Sequence, residues 1–354
     1  MLPASSGPAP APAAPRVLCL GEALVDRLGP PGGDPDRDGP CDDRLGGAPA
    51  NVACALARLG VPSAFLGRLG RDAIGAAFAQ LFAQRGVDTS AQQWDNERPS
   101  RVVLVRRDAA GERQFGGFAG ADAASLRAGE GFADQALAAP ELSAALGPLL
   151  AAARWLLVGT IPFAAPAASS ALQLACREAA AAGVALALDV NWRPTFWDPA
   201  ADPASGPTAA QVAAMQPLLH QAALLKCARE EALWLFGSAD PGAVAAALPQ
   251  RPAVLITDGG LPLRWWLGGA AGELPAFRVP VVDTTGAGDA FTAGLLQGLV
   301  AHPAWLVSAS TGQALELMRV ATACGALVCQ GTGAIDPQPT LDQVRAFLAA
   351  APSA

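Results

Sequence analysis

The stretch Asp283-Thr-Thr-Gly-Ala-Gly-Asp289-Ala-Phe291 sets a Gly-Ala-Gly turn between two carboxylates and runs into a helix-competent segment, Ala290 to Leu299. Backbone N–H groups at a glycine turn that opens a helix attract an anion, because unpaired donors and the helix dipole both favour negative charge. A phosphate held there would be repelled by Asp289 unless that carboxylate acts on a hydroxyl attacking the phosphorus. The stretch therefore predicts phosphoryl transfer to an alcohol, with Asp289 as base. Helix N-capping is the competing use of Asp289, and one side chain can serve both.

On either side of this stretch the chain alternates strand and helix. Arg16 to Gly21 is a short apolar strand, residues 29–44 read as an exposed Gly/Pro/Asp loop, and Pro49 to Leu59 carries apolar residues at helical spacing. Ser63 to Leu69 reads as a strand and Asp72 to Arg85 as a helix. From Arg101 the period becomes two: Arg101 to Arg106, a turn at Asp108 to Gly111, and Glu112 to Phe118 make a β-hairpin. Further strands are expected at Trp155–Val158, Val184–Val190, Leu224–Lys226, Val254–Thr257 and Phe277–Val281. Helices are expected at Pro166–Ala182, Thr208–His220, Arg229–Phe236, Pro241–Leu248, Gly312–Val328 and Thr340–Leu348. Such alternation predicts an α/β fold with a mostly parallel central sheet and helices on both faces.

Parallel sheets bind ligands at the carboxyl ends of their strands, and the chemistry-bearing residues gather there. Glu22 and Asp26 follow the first strand, and Asp189, Asn191 and Arg193 close another. Lys226, Thr257 to Gly260 and Asp283 end three more.

Composition removes other classes. A chain of 354 residues, 52% apolar and 16% charged, can bury a large core as one α/β domain. A net charge of −7 argues against nucleic acid, which needs concentrated Lys and Arg. The seven scattered cysteines lack a CxxC and suit reduced thiols, not a zinc site or disulfides. The long uncharged stretches Trp155–Cys176 and Ala290–Leu315 are broken by Gly and polar residues, so no bilayer span is expected. Residues 1–15, rich in Ala, Pro and Ser without a cationic start, read as a disordered tail and not a signal peptide; a cytoplasmic location is expected.

The segment Gly46-Gly47-Ala-Pro-Ala-Asn51-Val-Ala53 and the stretch Asp283 to Phe291 resemble the two signature motifs of the ribokinase-like PfkB carbohydrate kinases. Between them, Gly67-Arg-Leu-Gly70-Arg-Asp72-Ala-Ile-Gly75 is similar to a third motif of that family. The resemblance covers residues 16–350 and implies a ribokinase-like domain with a small β lid formed by about 27–45 and 98–120. It implies ATP as co-substrate, Mg²⁺, and in several members a monovalent cation such as K⁺.

Residue by residue, the resemblance makes Asp289 the catalytic base and Gly286, Ala287 and Gly288 an anion hole for the transferred group. Asp26, Gly47 and Asn51 match positions that bind sugar hydroxyls, and Arg113 and Phe115 would close over the sugar from the lid. Asn191, Lys226, Glu231, Thr257 and Gly259 match phosphate- and magnesium-facing positions, Glu231 reaching Mg²⁺ through water. Thr322 and Gly325 would border the adenine. Asp283 and Thr285 match the monovalent-cation site, with turn capping by Asp283 as the other reading.

Two positions depart from the family pattern: Ala228 stands where Asn or Ser is common, and Asp258 where leucine is common, which predicts that Asp258 points away from ATP. Glu22 to Asp26, the Gly-Gly-Ala-Pro segment, and Asp189 to Arg193 with Trp197 most resemble the fructokinase branch, implying conversion of D-fructose to fructose 6-phosphate. Kinases of ribose, ketodeoxygluconate or adenosine, and a scaffold that has lost catalysis, are the alternatives. The partners implied are a small sugar and ATP, and an exposed lid edge would permit a homodimer. His220, His302, Cys227 and the Trp265-Trp266 pair read as packing or surface groups.

Overall fold

The computed structural model describes residues 13–107 and 113–351; the turn expected at Asp108–Gly111, Glu112 and most of the expected tail lie outside them, as does the side chain of Arg113. In chain order the strands are β1 Val17–Leu20, β2 Leu24–Pro31, β3 Asp42–Gly46, β4 Ser63–Leu66, β5 Arg68–Gly70, β6 Gln93–Asp95 and β7 Arg101–Arg107. They continue as β8 Arg113–Ala119, β9 Trp155–Val158, β10 Ala185–Asp189, β11 Leu224–Ala228, β12 Ala253–Thr257, β13 Leu263–Leu267 and β14 Ala270–Leu274.

The large sheet has the order β14-β13-β12-β11-β10-β9-β1-β4. It is parallel from β4 to β12 and antiparallel at β12–β13 and β13–β14. Its parallel strands are apolar almost throughout because helices cover both faces. In β1, Val17 and Cys19 join one core while Leu18 and Leu20 join the other, the two-residue alternation of a strand. The first core is closed by the helices Ala48–Arg58, Ala287–Ala301 and Thr311–Val328, the second by Ala139–Leu150, Pro166–Ala181 and Ala209–Leu219.

A second sheet, β3-β2-β7-β8, pairs Leu24 with Arg101 in parallel and Leu24 with Gly46 in antiparallel register. One face packs Leu24, Val103, Phe115 and Phe118 against Ile161 and Phe196 of the main body. Residues 29–44 are therefore not simply an exposed loop. β2 extends to Pro31 and β3 begins at Asp42, so strand pairing reaches into a segment whose Gly, Pro and Asp content disguised it.

Two other strand expectations are corrected. Ser63–Leu69 breaks at Gly67, where β4 ends and β5 leaves to pair with β6. Phe277–Val281 is not a strand; the sheet edge is the β13–β14 hairpin, turned by Gly268 and Gly269 at φ 60 and 88. The apolar character of 277 serves packing, since Phe277 meets Phe347 edge-on at 5.1 Å. Trp265 is buried in β13, His302 stacks on Trp305, Cys227 lies in the core, and all seven cysteines are free thiols. No helix among the described residues is long and apolar enough to cross a membrane.

Candidate active site

The carboxyl ends of β1, β10, β11 and β12, the small sheet and the start of the Ala287–Ala301 helix enclose one cleft of about 570 Å³. Its wall includes Asp26, Gly47, Asn51, Asn191, Lys226, Glu231, Thr257, Asp283, Thr285, Gly286, Gly288 and Asp289. Two segments far apart in the chain meet directly here. Asn51 Nδ2 donates to Asp289 Oδ2 at 2.7 Å, joining the helix after the Gly46-Gly47 turn to the helix after the Gly-Ala-Gly turn. Gly47 needs its φ of 100, and a Cβ there would lie 2.7 Å from the Glu22 carbonyl oxygen.

Asp289 is half-buried, and burial pushes its pKa up to about 6. The Asn51 hydrogen bond opposes that shift, Asp189 adds to it, and Lys226 and Arg193 reduce it. A carboxylate poised there is ionised at neutral pH yet basic enough to take a proton from an alcohol. Beside it, the buried Lys226 Nζ donates to Asp189 Oδ2 at 2.6 Å. Burial disfavours that ammonium, but Asp189, helped by Asp289 and Glu231, outweighs it and holds the lysine pKa above its ordinary value. Lys226 Nζ stands 3.5 Å from where a Gly288 Cβ would be, so cation and glycine turn share one patch of the wall.

Gly286 adopts φ 78, and a Cβ there would fall 2.5 Å from Ala334 Cβ and 3.0 Å from the Ala334 carbonyl oxygen. Gly286→Ala should therefore distort the turn and lower kcat by about 100-fold, the scale of losing one oxyanion donor. Steady-state assays at saturating substrate, with circular dichroism to confirm the fold, check this. Ala287 does not line the cleft; its N–H donates to the Thr284 carbonyl at 3.2 Å and braces the turn.

Asp283 ties the turn to its surroundings. Its Oδ1 accepts the Thr285 N–H and hydroxyl at 3.0 and 2.7 Å, and its Oδ2 accepts the Gly333 N–H at 2.9 Å. Glu231 Oε1 accepts the Trp192 N–H at 2.6 Å and Oε2 the Ala228 N–H at 2.7 Å. Burial above all raises the Glu231 pKa, so a nearby cation would relieve a real cost. Among the described residues no cluster of three His, Cys, Asp or Glu side chains could cage a metal. This donor set suits a hydrated cation that approaches Glu231 from the cleft better than one held in an all-protein cage.

Not every expected residue faces the cleft. Gly325 is buried where the Thr311–Val328 helix crosses Ala287–Ala301; a Cβ there would lie 3.0 Å from the Ala287 carbonyl oxygen. Thr322 sits on the same helix away from the cleft wall, and Gly259 is an exposed turn residue at φ 54. Arg113 lies in β8, and its side chain is outside what the structure describes. Ala228 precedes a helix whose first turn is capped by Glu231 instead of a side chain at 228. Asp258 faces Arg229 at 3.7 Å, away from the cleft.

The cleft also contains residues the motifs did not single out. Asp189 and Arg193 line it, and their signal was position at the end of β10. Behind the wall, the buried Thr292 Oγ1 lies 2.9 Å from the Gly288 carbonyl and 3.2 Å from Asp189 Oδ2, a polar group hidden in an apolar helix. Arg44 lines the cleft opposite Asp26 across the β2–β3 ladder, a pairing invisible while its segment read as loop.

A glycine turn opening a helix, a buried lysine and a carboxylate share one cleft at the strand ends of a parallel sheet covered on both faces, an arrangement suited to phosphoryl transfer. The pfkB family carbohydrate kinase profile matches residues 14–341, and the chain belongs to that family; it is a sugar kinase. A fructokinase of Klebsiella pneumoniae is 33% identical over 94% of this chain and 99% of its own length. The crystal structure of an ATP-bound fructokinase from Xylella fastidiosa superposes with TM-score 0.81 at 29% identity, covering 95% and 99% of the two chains. A fructokinase double mutant from Vibrio cholerae, bound to fructose, ADP and potassium, superposes with TM-score 0.75 at 25% identity, covering 96% and 99%.

Proposed function

We propose that the protein is a fructokinase that transfers the γ-phosphoryl group of ATP to the 6-hydroxyl of D-fructose. The observation that carries the chemistry is the 2.7 Å bond between Asn51 and Asp289, which sets an amide that can read a hydroxyl beside a base that can deprotonate it. The choice of fructose draws support from relatives named fructokinases at about 30% identity along nearly the whole chain.

The sugar lies between the small sheet and the glycine turn, held by Asp26, the Gly47 backbone and Asn51. The small sheet, with Phe115 and Arg113 on β8, acts as a lid that excludes water from the reaction. Asp289 takes the proton of the 6-hydroxyl as its oxygen bonds to the γ-phosphorus, and the bond to the ADP oxygen breaks in line. The Gly286 and Gly288 amides and Lys226 meet the charge on the phosphoryl oxygens. Asn191 and Thr257 lie along the nucleotide. Glu231 would help hold Mg²⁺, which would supply charge neutralisation of the ATP phosphates. Asp283 and Thr285 are the residues to which K⁺ would bind. The enzyme works in the cytoplasm, and pairing of lid edges would give a homodimer.

A coupled ADP-release assay with fructose, ribose, glucose, adenosine and 2-keto-3-deoxygluconate tests this directly. Fructose should give the highest kcat/KM. Turnover of ribose or adenosine without fructose refutes the substrate, and no turnover of any member refutes catalysis.

A further inference from the structure

A buried ionic cluster lies beside the sugar-side turn, with Glu22 and Asp189 reaching the cleft wall. Glu22, two residues beyond the end of β1, is 4% exposed, and its Oε1 accepts the Ala48 N–H at 3.1 Å. That amide begins the Ala48–Arg58 helix, one residue after Gly47 and three before Asn51. The Glu22 main chain also presses on Gly47, so one residue braces the turn through backbone and side chain together. The charged groups facing Glu22 are Arg101 and Asp134 from behind, paired at 2.9 Å, and Asp189 across the cleft floor. Arg101 is enclosed by Phe118, Phe132 and Phe196 at 5.1, 4.7 and 4.7 Å, and Phe196 lines the cleft.

The geometry points to Glu22 as a positioning residue for the sugar: its carboxylate grips the Ala48 amide and thereby sets Gly47 and Asn51 against the substrate hydroxyls. This rests on the sugar-kinase site described above and adds to it a residue at the edge of the cleft wall that acts through the Ala48 amide. Burial, chiefly, lifts the Glu22 pKa to about 7; Asp134 adds to the rise, while its own amide, the Ala48 amide and Arg101 oppose it. The ionised acceptor makes the stronger bond and is lost as pH falls through that value. Sugar affinity should fall with it.

The test is a calorimetric titration, without ATP, of whichever sugar turns over fastest in the panel. It is run from pH 6 to 8.5 in the Asp289→Asn background, which removes the titration of Asp289 itself. Affinity should drop about 3- to 10-fold from the alkaline to the acid end, the scale of one weakened hydrogen bond. Adding Glu22→Gln should leave affinity flat at the acid-end value. In the otherwise native enzyme, Glu22→Gln should raise sugar KM severalfold while kcat and the KM for ATP stay within about twofold. Ala48→Pro deletes the N–H at a helix position that tolerates proline and should reproduce the sugar KM effect with Glu22 intact. An unchanged pH dependence in Glu22→Gln overturns the proposal. So does a lower melting temperature with sugar KM unmoved in both variants. An enzyme that turns over no sugar overturns the kinase reading instead, which separates the two failures.

Discussion

Asp289→Asn should lower kcat by two to four orders of magnitude while leaving ATP binding close to normal. General-base catalysis by a positioned carboxylate accounts for about that factor. Asparagine keeps an oxygen that can accept from Asn51 Nδ2, so the 2.7 Å contact and the cleft shape should survive. The pH profile carries the same signature. Asp289 has a pKa pushed up to about 6, so its working carboxylate is present above that pH and lost as pH falls through it. The native enzyme should therefore lose kcat below about pH 6, and the residual activity of the variant should lack that limb. Stability should move the other way. A folded-state pKa above the ordinary value means that ionised Asp289 weakens the fold above pH 6, so the variant should melt no lower than the native protein at pH 8. Near-native turnover in Asp289→Asn would remove the base from this position.

Lys226→Met is expected to cost both stability and activity. Deleting one partner of the 2.6 Å buried pair leaves Asp189 with an uncompensated charge, a loss of about 3–5 kcal/mol. Scanning calorimetry should show a melting temperature lower by several degrees. Activity should fall because the cation beside Gly288 is gone. The surviving activity should also need higher pH, since Lys226 no longer lowers the Asp289 pKa. Adding Asp189→Leu should recover much of the stability, because a desolvated pair replaced by apolar groups is often neutral. It should not recover the rate. A single variant with native melting and an unmoved acid limb would contradict both halves of this expectation.

The architecture was legible wherever one physical cause dominated. Strands such as Trp155–Val158 and Val254–Thr257 are apolar throughout because helices bury both faces, and the helix at Ala73 begins where Asp72 accepts the Gly75 N–H. It was illegible where a ladder formed across unfavourable residues. Asp42 and Asp43 pair with Leu28 and Arg27, and nothing local distinguishes them from a solvated loop. Phe277 misled for the converse reason, since an apolar side chain marks burial but not extended pairing. In the site, strand-end position brought Asp189, Lys226 and Thr257 to one cleft. Motif position does not reveal packing either: Gly325 lies where the Thr311–Val328 helix meets Ala287–Ala301. The contact of Thr292 with Asp189 depends on a side-chain meeting across 103 positions that no spacing encodes.

The bond between Asn51 and Asp289 spans 238 positions, and the helix carrying Asp289 is wedged between two others from opposite ends of the chain. Synthesis on the ribosome proceeds from the amino end, so the helix of Asn51 emerges long before the helix of Asp289. Until that late helix docks, a nascent chain lacks the wall of the cleft on which Gly286, Gly288 and Asp289 stand. Such distant closure also makes acquisition of activity a late and comparatively slow event in folding, because remote segments must find each other before their contact stabilises either one.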